Sequence, residues 1–218
     1  MLANVSEKDY NVVTMTEKQV LKYFADTGAL LSGHFELRSK LHSDRYFQCA
    51  NVLRYPRIAE KLCREVTTRA MKSGKLGSRI DGVISPAVGG ILVGHEVARS
   101  LNVKCVFAEK VPDGDKKDAA GQPVTKLAMR RFSLKKGERY VVAEDVVTKG
   151  GRVQETIDLV KAAGAKVAGV VVLVDRSAGK VKFGRIPLFS LMQMTPTTWK
   201  PEECPLCAKG SRPVHPGS

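Results

Sequence analysis

No apolar run in the sequence is long enough to cross a bilayer. The longest, GVVVLV at 169–174, is far short of the roughly 20 residues that a spanning helix needs. The first residues, MLANVSEKDYN, hold no basic stretch followed by an apolar core, which argues against a secretory leader. There is no internal repeat and no low-complexity tract, so solenoid arrays are excluded. Cysteine is scarce and odd in number, at five, which does not suit a disulfide framework. Cys49, Cys63 and Cys105 stand singly in apolar patterns, as small buried hydrophobes do in a reducing compartment. Only Cys204 and Cys207 form a close pair, CPLC. That pair supplies two ligands where a structural zinc needs about four, and His215 would add only a third from a Pro-rich tail. A plain tail turn is therefore expected, with a redox pair as the alternative and no zinc. These absences together lead us to expect a soluble cytoplasmic protein that does not bind membrane.

What is present is ordinary globular material. The 218 residues are 43% hydrophobic and 27% charged, enough for one full domain and a small appendage. The formal net charge is +14, which favours anionic partners: a phosphorylated metabolite, nucleic acid or a membrane surface. Its densest part is Lys110, Lys116, Lys117, Lys126, Arg130 and Arg131. This cluster lies in a stretch without apolar periodicity, which reads as a long functional loop.

Residues 1–55 read as a helix and a hood, 56–198 as the core domain, and 199–218 as an irregular tail. Thr16 and Gln19 are spaced as a capping box, with Val20, Leu21 and Phe24 behind them and Gly28 at the stop. Extended segments are expected at 34–39 and 45–49. From Pro56 onward helix and strand alternate. Helices are expected from Pro56 to Gly74, over 89–101 and over 152–163, and strands over 80–85, 103–108, 140–143 and 167–174. Strands this continuously apolar are buried on both faces of a parallel sheet, and the alternation gives an α/β fold with helices flanking that sheet.

The most informative stretch is YVVAEDVVTKGGRVQETI, residues 140–157. An apolar strand ends in Glu144 and Asp145, then Thr148, Lys149, Gly150 and Gly151 lead into a helix. Ligands in such sheets lie beyond the carboxyl ends of the strands. Glycines expose backbone N–H groups there, and the positive end of the following helix faces an anion. A carboxylate pair beside a phosphate cradle needs sugar hydroxyls or a divalent cation between them. The pattern fits a ribose 5-phosphate, with hydroxyls on the acids and phosphate on the loop. SPAVGGI, at 85–91, is a second small-residue loop that leads from a strand into a helix.

EDVVTKGG resembles the signature of the type I phosphoribosyltransferases, with Lys149 and Arg152 standing where smaller residues are usual. The resemblance implies phosphoribosyl pyrophosphate bound by Glu144, Asp145, Val146, Val147, Thr148, Lys149, Gly150, Gly151 and Arg152. Pyrophosphate would lie on a strained peptide near Ala87 and Val88. GHFELRSKLHSDRYFQ, at 33–48, is similar to the hood of the orotate phosphoribosyltransferases, with Lys40 where Gly is usual. By that similarity Arg38 reaches the phosphates, Tyr46 and Phe47 cover the base, and Arg176 in VDRSAG recognises orotate together with Thr148. Lys110 matches a basic position at the start of a loop that closes over pyrophosphate, while Glu109 stands where a basic residue is common. The resemblance implies Mg²⁺ as cofactor, held through the substrate, and a homodimer whose basic loop reaches the partner's site, with no role for nucleic acid. Lys110, Glu144 and Asp145 are the expected catalytic residues. The competing readings are transfer to another base, a purine or uracil, and a nucleic-acid-binding regulator on the same fold.

Overall fold

The computed structural model describes residues 14–37, 39–118 and 121–215; Arg38 lies outside them. Helix α1 (Glu17–Asp26) begins at the expected capping box: the Gln19 amide donates to Thr16 Oγ1 at 3.3 Å and the Thr16 amide to Gln19 Oε1 at 2.8 Å. Its apolar face buries Val20 and Phe24, and Phe24 meets Phe47 edge-on with centroids 6.3 Å apart.

The hood is an antiparallel hairpin of β1 (Leu30–Glu36) and β2 (His42–Phe47), with Leu30 opposite Phe47 and Glu36 opposite His42. Each strand starts three or four residues before the expected position. At the turn Lys40 has φ +63°, a backbone conformation natural to glycine and costly for other residues. Lys40 Nζ lies 2.8 Å from Glu36, an exposed pair that contributes little. The local cost of departing from Gly is thus carried by the fold around the turn.

After the short α2 (Ala50–Leu53), α3 (Pro56–Lys72) opens with proline at its first position. Leu62, Val66 and Ala70 turn one stripe into the core, with no exposure. Arg69 ties this helix across the domain, donating to the Leu191 carbonyl at 3.0 Å, the Met15 carbonyl at 2.7 Å and Glu65 at 2.7 Å.

The remaining elements are β3 (Gly82–Pro86), α4 (Gly90–Leu101), β4 (Lys104–Lys117), β5 (Pro123–Ala128), β6 (Arg139–Val147), α5 (Gly151–Ala162), β7 (Lys166–Asp175), β8 (Leu188–Gln193) and β9 (Thr198–Trp199). The large sheet runs β5-β4-β3-β6-β7-β8. It is parallel except where β5 pairs antiparallel with β4. The chain is thus α/β with a mostly parallel sheet. All five residues of β3 and nine of the ten in β7 are buried or half-buried, as sheets covered on both faces require. One core packs the hood, α1, α3 and α4 against one face; the other, on the α5 side, holds Ile84, Tyr140, Val142 and Ile157. No helix among the described residues is long and apolar enough to cross a membrane.

Besides the earlier starts of the hood strands and the unexpected β8, two regions differ in kind from the sequence expectation. The basic stretch is a two-stranded arm rather than a loop: β4 continues past Ala108 to Lys117, with Lys110 opposite Leu127 and Pro112 opposite Thr125. From Gly114 on β4 is exposed on both faces, and of 110–113 only Val111 and Asp113 are half-buried, so backbone pairing, not an apolar stripe, organises its far half. Along the arm Asp113 holds Lys116 at 2.8 Å and Lys126 at 2.9 Å. The tail is also not irregular. β9 adds to β2, with Trp199 opposite His42, and a short helix, α6 (Pro205–Ala208), follows. The Val214 amide then donates to the His34 carbonyl at 2.8 Å, and the Glu36 amide to the Val214 carbonyl at 2.9 Å.

Candidate active site

From β3 the chain proceeds to β4 on one side, whereas from β6 it proceeds to β7 and β8 on the other. The order reverses between β3 and β6, so the loops leaving their carboxyl ends diverge and open a crevice. A cleft of about 500 Å³ lies there. It is lined by Ala87, Val88, Lys110, Glu144 and Asp145 and by every residue from Val146 to Arg152. Two segments some sixty residues apart in sequence are therefore brought to one cavity.

The carboxylates lie in the last turns of β6. Glu144 is buried at 8% exposure and Asp145 is half-buried. The Asp145 amide donates to Glu144 Oε1 at 3.1 Å and the Val146 amide to Asp145 Oδ1 at 2.7 Å. Among the described residues neither acid has an ion-pair partner. Burial, and secondly the charge of Asp145, pushes the Glu144 carboxyl well above its ordinary range, with Lys110 opposing only weakly. Burial likewise raises Asp145. The pair holds a proton most readily on Glu144, as two carboxyls sharing one low-dielectric site do.

The loop after β3 is shaped around these acids. A Cβ at Gly90 would come within 2.9 Å of Glu144 Oε1 and 3.1 Å of Pro86 Cδ, while one at Gly89 would stand 3.4 Å from Asp145 Oδ2. The glycine pair of SPAVGG thus serves a close approach to the carboxylates. The Ala87–Val88 peptide is cis, and Val88 is 82% exposed at the mouth.

On the other wall Gly150 has φ +78°, and a Cβ there would meet Val181 Cγ1 at 2.8 Å. It starts α5 without any side-chain cap, so the first N–H groups of the helix are left for a ligand, and the helix end favours an anion. Thr148 and Lys149 are exposed beside it. Arg152 is more engaged than a free phosphate ligand: it donates to Glu155 at 2.8 Å and to Thr125 of the arm at 3.1 Å. Arg152 thereby links the arm to the loop. In the arm, Lys110 faces the cleft, Arg131 is ion-paired with Glu109, and Arg130 is exposed.

Arg176, Tyr46 and Phe47 form a separate group beside this cleft. The Arg176 amide donates to the Val147 carbonyl at 2.8 Å, which fixes it next to the phosphate loop. Its guanidinium carbon sits 5.6 Å from the centroid of Phe47. Arg176 Nε is buried with no hydrogen-bond partner, and burial lowers the guanidinium below its usual range. Arg176 as a whole is half-buried, and a buried Nε–H left unpaired is costly unless a ligand completes it. Phe47 is itself buried, at 6% exposure, and supports Arg176 from below. Tyr46 is half-buried and packs on Phe35 at 5.9 Å. Glu155 and Thr125 were not singled out from the sequence, and Gly90 was only as part of the small-residue loop 85–91. Only Gly90 carried a signal there, as half of a glycine pair.

A strand-end acid pair and the uncapped helix start that follows it, facing the loop after β3 across the sheet's reversal, define a class. It is the phosphoribosyl transferase domain, whose family model matches residues 52–191. The chain is 45% identical over 205 residues to the orotate phosphoribosyltransferase of Desulforamulus reducens, covering 94% of this chain and 98% of that protein. It is 47% identical over 204 residues to the one from Chlorobaculum parvum, covering 94% and 97%. The crystal structure of orotate phosphoribosyltransferase from Aeropyrum pernix superposes with a TM-score of 0.59 at 25% identity, covering 80% of this chain and 93% of that one. The chain belongs to the orotate phosphoribosyltransferase family.

Proposed function

We propose that this protein transfers ribose 5-phosphate from phosphoribosyl pyrophosphate to a ring nitrogen of orotate, giving orotidine 5′-phosphate and pyrophosphate in pyrimidine nucleotide synthesis. The observation that carries the reading is the juxtaposition of two acids without ion-pair partners and the capless start of α5 in one cleft. A sugar 5-phosphate complements both at once. The phosphate accepts from the N–H groups at 148–151, with Thr148 and Lys149 adding a hydroxyl and a charge. The ribose diol donates to Glu144 and Asp145. Binding of the diol favours the charged acids, so the proton that burial holds on Glu144 is displaced.

In the reaction the bond from ribose C1′ to the pyrophosphate oxygen breaks and a bond from C1′ to the orotate nitrogen forms, with departure ahead of attack, and the proton on that nitrogen passes to the departing pyrophosphate or to water. Positive charge grows on the ribose, and Glu144 and Asp145 stabilise it electrostatically. Lys110 and the backbone at Ala87 and Val88 receive the leaving pyrophosphate. Arg176 holds orotate by a planar two-point contact, for which a guanidinium fork is suited, and Tyr46 shields the ring from water. The remaining groups position substrate rather than react with it.

A carboxylate pair with no side-chain ion-pair partner among the described residues, beside a phosphate site, also suits a hard divalent ion. Bound Mg²⁺ would neutralise pyrophosphate charge, and Glu144 and Asp145 would hold it indirectly through the sugar hydroxyls. We also place the reaction in a cytoplasmic homodimer, with the exposed arm of β4 and β5 reaching the partner's cleft; the resemblance of this arm to the family's closing loop supports it. The test mixes pure protein with phosphoribosyl pyrophosphate, Mg²⁺ and orotate and follows orotate absorbance. Orotate should be consumed with equal release of pyrophosphate, while adenine, hypoxanthine and uracil give no turnover. Turnover of one of those bases in place of orotate would refute the assignment.

A further inference from the structure

Four side chains with no part in the reaction meet at one point of the hood. They are His34 from β1, His42 from β2, and Cys204 and Cys207 from the tail, and their ligating atoms all lie within 4.8 Å of one another. The two histidines reach each other because His34 lies two residues before Glu36, the residue opposite His42. The two cysteines flank the first turn of α6, with Cys204 at its cap and Pro205 at its first position.

The distances have a definite chemical shape. His34 Nε2 and His42 Nδ1 are 3.0 Å apart. Cys204 Sγ is 3.4 Å from His34 Nε2, and Cys207 Sγ is 3.8 Å from the same nitrogen and 3.3 Å from His42 Nδ1. A tetrahedral zinc ion, with bonds of about 2.05 Å to nitrogen and 2.3 Å to sulfur, places its ligand atoms about 3.3–3.8 Å apart. Four of the six edges therefore already match that tetrahedron to within a few tenths of an ångström, and the other two are no longer than 4.8 Å.

Its surroundings agree with its shape. His34, His42 and Cys204 are buried, at 7%, 5% and 3% exposure, and all the cysteines are free. Ser211 Oγ lies 3.1 Å from His34 Nδ1, in reach to accept a hydrogen bond from that nitrogen and so turn the Nε2 lone pair toward a metal; a partner on the second ring nitrogen is usual for zinc-bound histidine. Two thiolates and two neutral imidazoles together carry the charge that cancels Zn²⁺. A Cys204–Cys207 disulfide would use neither imidazole.

We propose that His34, His42, Cys204 and Cys207 form a closed structural zinc site that clamps the C-terminal segment onto the hood. All four positions are filled by protein, so the ion has no open place for catalysis. The hood needs such a clamp. A two-stranded hairpin is marginal on its own in water, and the tail ties to its edges through the two residues of β9, the Val214 bonds to His34 and Glu36 and Ser211 beside His34. Metal binding adds its own free energy to these contacts. The site thereby holds the strand that carries Tyr46 and Phe47, independently of which base the enzyme uses.

The test uses the full chain without a polyhistidine tag, purified from zinc-supplemented cells and analysed by plasma mass spectrometry. About one zinc per chain is expected in the native protein, and none in the Cys204→Ser/Cys207→Ser variant. Cobalt exchanged into the native protein should give the intense near-ultraviolet band of thiolate–Co²⁺ charge transfer together with tetrahedral bands in the visible. Because it needs no mutant, that spectrum decides the matter if the double variant does not fold. Chelation should lower the melting temperature of the native protein and leave that of a folded variant unchanged. The proposal fails if the native protein neither carries zinc nor takes up zinc or cobalt, if the double variant keeps its zinc, or if Cys204 and Cys207 are disulfide-linked in protein prepared under reduction.

Discussion

Replacing both cleft acids by their amides, Glu144→Gln with Asp145→Asn, should abolish most turnover while leaving the protein more stable. The amides keep size and still accept hydrogen bonds from ribose hydroxyls, so KM for phosphoribosyl pyrophosphate should move less than kcat. What they lack is negative charge at the growing positive centre, and loss of such pre-set electrostatics costs roughly 10²- to 10³-fold in kcat. The opposite sign for stability follows from burial, which raises both carboxyls in the folded protein. The folded state then binds protons more readily than the unfolded chain. The stability contributed is fully present below the ordinary carboxylate range and is lost as pH rises through the raised values. At neutral pH the native protein bears that loss and the amide variant does not. A gain of roughly 0.5–2 kcal/mol is expected, in the range typical of relieving strain at active sites. Thermal melts of substrate-free protein from pH 4 to 8 check it: the native protein's melting temperature should fall with rising pH more steeply than the variant's. Parallel curves together with wild-type kcat would contradict both halves.

The second large effect belongs to Arg176. Its Nε is buried without a partner, so substrate-free protein should tolerate Arg176→Met with no loss of melting temperature. Orotate should not tolerate it. Truncating one side of a buried charge pair costs roughly 2–4 kcal/mol, or about 30- to 700-fold in kcat/KM for orotate. Arg176→Lys, which keeps charge but loses the planar fork, should fall between. Equilibrium binding of phosphoribosyl pyrophosphate alone is the control and should be unchanged in both variants. An equal loss of affinity for the two substrates would place Arg176 in the phosphate site or in the general fold instead.

The cleft was legible in the sequence because its chemistry is local. The acids, glycines and helix start of 144–151 are consecutive, and one strand end aims them all at the same point. The helix caps were readable for the same reason, Thr16 and Gln19 being three residues apart. The arm was not legible, because β4 from Gly114 to Lys117 is solvated on both faces and the half-buried positions before it, Val111 and Asp113, leave no alternating apolar pattern. β8 and β9 were missed as well; β9 is only two residues long and gains its strand character from pairing with β2. The metal cluster was hidden by distance. CPLC offers two ligands, and the other two lie 162 to 173 residues away in a hairpin where each histidine alone reads as a polar core residue. Only the docking of the tail on the hood brings them together. Arg176 occupies the middle ground: its position after a strand was visible, but its unsatisfied Nε is a property of the packed structure.

The most direct measurement is a crystal structure of the complex with phosphoribosyl pyrophosphate. The account predicts the 5-phosphate on the backbone N–H groups of 148–151, the ribose diol within hydrogen-bond reach of Glu144 and Asp145, and pyrophosphate between Lys110 and the Ala87–Val88 peptide. A sugar seated anywhere else, or a diol turned away from both carboxylates, would contradict it.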